Sequence, residues 1–113
     1  MRILCVLLSL ISAPAFAAPL DQARAAKVVF IGEIHDNPAH HATQAKWVAA
    51  LKPRALVFEM LTPEMAKAAS SVPFTDAAAL AEATHWAESG WPEFAFYAPI
   101  FSAASGAKLY GAA

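Results

Sequence analysis

Lys27–Ile34, KVVFIGEI, is a continuous apolar run rich in β-branched residues. A run of this length and kind reads as a strand buried on both faces, which belongs in a parallel sheet. Asn37-Pro38 follows, a capping side chain with proline at the first helical position, so a helix is expected through AHHATQAKWVAALK. Within it Gln44, Trp47, Val48 and Leu51 fall at the i, i+3, i+4, i+7 spacing of one buried face, and Pro53 ends it.

A second strand is expected at Arg54–Met60, RALVFEM, and a helix capped by Thr62-Pro63-Glu64 runs to about Ser70. Thr75-Asp76 opens a short alanine-rich helix reaching Thr84, a further helix is expected over Pro99–Ser105, and KLYGAA from Lys108 reads as a third strand. The order strand, helix, strand, helices, strand defines an α/β fold, a parallel sheet with flanking helices. Three apolar strands need cover on both faces, and no helix follows the third. The chain is therefore expected to be the N-terminal part of a larger fold.

The chain has 113 residues. Its first residues, MRILCVLLSLISAPAFAAP, combine one basic residue, a short apolar run and Ala15-Phe16-Ala17, the pattern of a secretory signal peptide over 1–17. Cleavage after Ala17, or Ala18, would remove Cys5, the only cysteine, leaving no disulfide, thiolate metal site or covalent haem attachment in residues 18–113. No lipobox precedes the cleavage point, so an exported protein is expected, periplasmic or associated with the outer membrane. Of the eight basic residues Arg2 leaves with the leader, and seven remain against nine acidic ones, about −2. With no basic block, nucleic acid is not an expected partner.

The ligand-type residues concentrate at one turn. Ligands of open parallel sheets bind outside the carboxyl ends of the strands. Glu33 and His35 lie at that end of the first strand, His40 and His41 in the first helical turn, Glu59 at the end of the second strand, and Gly111 at the end of the third. Gly111 would let a ligand approach the backbone. Spacing by two turns Glu33 and His35 the same way on an extended strand, and the helix dipole favours neutral rings at His40 and His41. Glu33, His35, Glu59, His40 and His41 thus form a candidate divalent-metal set. The structural alternatives are a buried carboxylate at Glu33, a plain cap at Asp36 or Asn37, and exposed rings at His40 and His41. His85 reads as a surface or packing residue.

A second concentration is WAESGWPEFAFYAPIF, with six aromatic residues among sixteen: Trp86, Trp91, Phe94, Phe96, Tyr97 and Phe101. Such a run either covers the sheet as core, the reading for Trp91 and Phe101, or walls a flat apolar cofactor. Tyr97 would need a hydrogen-bond partner if buried, and tyrosinate is an axial ligand for ferric haem.

Taken in order, VVFIGEIHDNPAHHATQAKWVAAL, ALVFEM, WAESGWPEFAFYAPIFSAA and LYGA resemble the ChaN-like haem-binding uptake proteins, of the superfamily that includes Tiki metalloproteases and erythromycin esterases. The resemblance spans roughly residues 27–112. It implies non-covalent haem held by a tyrosine, a homodimer stacking two haems between protomers, membrane-associated uptake machinery as a partner, and a role in iron acquisition rather than catalysis. Gly32, Glu33, His35 and Glu59 match the superfamily's site motif, Tyr97 matches the family's tyrosine segment, and Tyr110 is a second candidate ligand. The alternatives are a metal-dependent hydrolase, with Glu33, His35 and Glu59 holding the ion or activating its water, and a non-functional remnant.

Overall fold

The computed structural model describes residues 19–113. The leader expected over 1–17 lies outside them. A short helix, α1 (Pro19–Ala25), carries an Asp21–Arg24 pair at 2.8 Å; no sequence signal had marked it. Next come α2 (Pro38–Leu51), β1 (Ala55–Phe58), α3 (Pro63–Ala69), α4 (Ala77–Ala83), a 3₁₀ turn at Trp86–Glu88, α5 (Phe94–Ala103) and β2 (Lys108–Gly111). β1 and β2 pair in parallel, Ala55 with Lys108 through Phe58 with Gly111. The fold is α/β, a parallel sheet with flanking helices.

Capping explains where the helices begin. Asn37 accepts from the Ala39 amide, Thr62 from Met65 and Asp76 from Ala79. Each side chain satisfies a donor that the first helical turn leaves open. Lys52, left-handed at φ 47°, closes α2 just before Pro53.

Residues 27–34 correct the expectation of a first strand. They form no strand and join no ladder, and Val28, Phe30 and Ile34 are exposed, Phe30 to 94%. Two of their backbone groups are bound by side chains of α2. Gln44 Nε2 donates to the Ile31 carbonyl at 3.2 Å, and the Ile34 amide donates to His40 Nδ1 at 3.0 Å. Backbone groups bound by side chains are withheld from a sheet ladder.

The sheet is covered on one face. Phe58 and Leu109 point into the core, while Val57 and Tyr110, paired in register, lie in solvent. The expectation of strands buried on both faces therefore fails for β1 and β2. α5 begins five residues earlier than Pro99 and holds that proline inside it. Its buried face, Tyr97, Ile100 and Phe101, offsets the hydrogen bond that proline cannot make. Phe101 stacks on Phe58 at 4.4 Å and meets Phe74 and Phe94, as its core reading required.

Gly111 sits where β2 packs closely on the chain just before α3. A Cβ there would collide with the carbonyl oxygens of Leu61 and Thr62. The approach expected of a ligand is made instead by the protein's own backbone.

Candidate functional site

α2 packs against α5 more extensively than any other pair of elements, and the turn before α2 meets both of them through Glu33. The carboxylate of Glu33 is the hub. Oε1 accepts from His35 Nδ1 at 2.8 Å and from the Tyr97 hydroxyl at 3.0 Å, while Oε2 lies 3.2 Å from His41 Nδ1. The side chain is nearly buried. Burial alone would raise its pKa, but hydrogen bonds from His35, Gln44 and Tyr97 and the charge of His41 together hold it below the usual carboxylate value. The sequence thus brings Glu33, His35, His41 and Tyr97 together from three segments.

Tyr97 is wholly buried. Its hydroxyl donates to Glu33 and lies 3.4 Å from the His35 carbonyl. Burial first, then the hydrogen bond to Glu33 and the charges of Glu33 and Glu59, push its pKa well above the ordinary tyrosine value. The phenol therefore stays protonated and serves the carboxylate.

The three histidines at the turn have separate roles. His41 is fully buried, contrary to an exposed first-turn ring, between Phe96 and Tyr97. Its Nδ1 faces Gln44 Oε1 at 3.1 Å and Glu33 Oε2, and its Nε2 faces the His35 carbonyl at 2.8 Å. Gln44 cannot be reversed, because its amide nitrogen donates to Ile31. Both ring nitrogens of His41 thus face oxygens of the protein itself, so the ring supports the Glu33 turn from inside the fold. His40 is half-buried, and its Nδ1 lone pair is taken by the Ile34 amide.

His35 is different. Its Nδ1 donates to Glu33, its side chain is 38% exposed, and Trp91 meets the ring edge-on at 4.7 Å. Nε2 has no partner among the described residues. Trp91, expected as core, is half-buried and forms one wall of this ring's setting.

The remaining candidates stand apart. Glu59 is exposed in the turn after β1, close enough to act on Tyr97 by its charge. A Cβ at Gly32 would enter open space. Tyr110, 49% exposed, lines a groove of about 610 Å³ between α3 and β2 with Pro63, Phe74, Lys67 and Lys108. That groove shares no lining residue with the Glu33 cluster. His85 is exposed, 3.9 Å from Glu88. No group of three or more His, Cys, Asp or Glu among the described residues is arranged to hold a metal ion. Among them, too, no helix is long and apolar enough to cross a membrane.

Gln44 is the residue that sequence reasoning missed as part of the site. It had been assigned to the packing face of α2, yet its amide ties Ile31 to His41. A polar side chain at an apolar position of the helical repeat was the available signal.

A family model described as haem-binding uptake, Tiki superfamily, ChaN, matches residues 20–113. No curated protein and no solved structure matches the chain.

Proposed function

The chain belongs to the ChaN family of haem-binding uptake proteins in the Tiki superfamily, and from that membership we propose that it binds haem non-covalently in the service of haem or iron uptake. Haem enters this reading as cargo. The observation that carries it is the family match over residues 20–113, and it is supported by the part-exposed imidazole of His35, bonded to the nearly buried Glu33 and set edge-on against Trp91. Iron needs such a donor, and a porphyrin needs apolar surface next to it. Beyond residue 17 no cysteine is present, which leaves covalent attachment without a thiol. Export to the periplasm or outer membrane, a homodimer and contact with membrane-associated uptake machinery belong to the same proposal and rest on the leader pattern and the family.

A metal-dependent hydrolase would require Glu33, His35 and Glu59 about one ion. The geometry favours haem over that reading, because Glu33 already receives three side-chain partners and Glu59 lies exposed in a separate turn.

The test is a haemin titration of the purified chain followed at the Soret band. A saturable spectrum is expected. Absorbance that rises without saturation would sink the haem reading, and activity lost with a chelator and with Glu33→Gln would move the assignment to the hydrolase. A chain without a cooperative thermal transition would be a remnant.

A further inference from the structure

We propose that the groove between α3 and β2 binds an amphipathic organic anion, an apolar body carrying one acidic head. The proposal does not rest on the haem reading. Helical periodicity builds one wall: Pro63, Ala66, Lys67 and the C-cap Ser70 stand at i, i+3, i+4 and i+7, one face of α3. Strand alternation builds the other, since Lys108 and Tyr110 are two apart on β2 and both are exposed. Phe74 completes the lining. Its ring stands edge-on to Phe101 at 6.1 Å, and its carbonyl accepts from Ser102 Oγ at 3.2 Å.

These walls are set by the fold itself. Gly111 fixes β2 against the carbonyls of Leu61 and Thr62, and Ala66 and Leu109 are part of the buried core. The space between the walls, about 610 Å³, is that of a small-molecule site.

Charge selects the occupant. Lys67 and Lys108 line the groove, and no acidic side chain among the described residues lines it with them. Neither lysine makes an ion pair among those residues, although the whole chain carries a formal net charge of −1. The two ammonium groups and the Tyr110 phenol offer hydrogens to an anionic head. Lysines act as point charges without the planar fork of arginine, so the site reads charge more than head-group shape. The apolar body is called for by Pro63, Ala66 and Phe74, which a bare inorganic anion would leave uncovered.

The test titrates decanoate, below its micelle concentration, into the purified chain by calorimetry and by nitrogen-15 NMR. Saturable one-to-one binding is expected, with amide shifts gathered at residues 63–74 and 107–111. Lys67→Met and Lys108→Met keep the apolar stem, and each should weaken binding about 2- to 5-fold, the double variant more. Added salt should weaken it in wild type. Decylamine, the same chain with the opposite charge, should not saturate. Both lysines are exposed, so the variants should keep the wild-type urea midpoint, which separates lost binding from lost folding.

Absence of saturable decanoate binding overturns the proposal, as does equal binding of decanoate and decylamine or an unchanged affinity in the double variant. Shifts gathered at residues 28–34 instead would also overturn it, by showing that the alkyl chain adheres to the exposed apolar stretch. None of these outcomes bears on haem, which the Soret titration tests separately.

Discussion

The hydroxyl of Tyr97 donates to Oε1 of Glu33 across 3.0 Å, joining residues 64 positions apart in sequence. The contact ties the turn before α2 to the middle of α5, and both groups are withdrawn from water where it forms. Tyr97→Phe removes the donor while keeping the ring. It should lower stability by about 1–3 kcal/mol, the cost of leaving a buried acceptor short of a partner. Urea unfolding measures it, and a change within a few tenths would show that the bond contributes little.

The same pair sets two limits on pH. Glu33 is depressed below its ordinary value of 4.5, so its contribution is fully present above that pH and is lost as pH falls through the folded value. Tyr97 is raised above its ordinary value of 10.0, so its contribution is intact below pH 10 and declines as pH rises past it. Thermal midpoints across pH should therefore fall at both ends. Glu33→Gln should flatten the acid limb, and an acid limb of unchanged slope in that variant would assign it to other carboxylates.

Two glycines should behave oppositely. Gly111→Ala forces a methyl group against the Leu61 and Thr62 carbonyls, and a loss of about 1–3 kcal/mol or more is expected. Gly32→Ala meets nothing and should leave the urea midpoint within about 0.5 kcal/mol of wild type. Equal effects at the two positions would contradict the close packing of β2 on the start of α3.

Phe101→Ala empties the centre of the aromatic core. With Phe58, Phe74 and Phe94 all in ring contact, the expected cost is about 3–5 kcal/mol. In a small domain this is enough to abolish the cooperative transition, as differential scanning calorimetry would show. A variant that still melts cooperatively near the wild-type temperature would mean that the core closes over the gap.

Legibility in the sequence followed locality. The caps of α2, α3 and α4 were readable because Asn37, Thr62 and Asp76 act on amides two or three residues away. The strands of the β1–β2 pair were readable from their apolar runs. The same rule misjudged residues 27–34, because an apolar β-branched run states a preference for a ladder but not whether the ladder is available. At the site, Glu33 and His35 were found from their spacing, whereas the roles of His41 and Gln44 depend on contacts with Ile31, His35 and Glu33 that spacing does not encode. Tyr97 was located by its motif, and only its burial against Glu33 distinguishes a supporting phenol from an exposed one.

The apolar stretch before α2 has a consequence for how the protein behaves in company. Val28, Phe30 and Ile34 remain largely in water although each would contribute about 1.5–3 kcal/mol if covered. Together that unrealised burial is on the order of the whole net stability of a small domain. Solubility is then governed less by how well the chain folds than by how long this apolar ribbon stays uncovered. The isolated protein should be a sticky object whose self-association grows steeply with concentration and temperature.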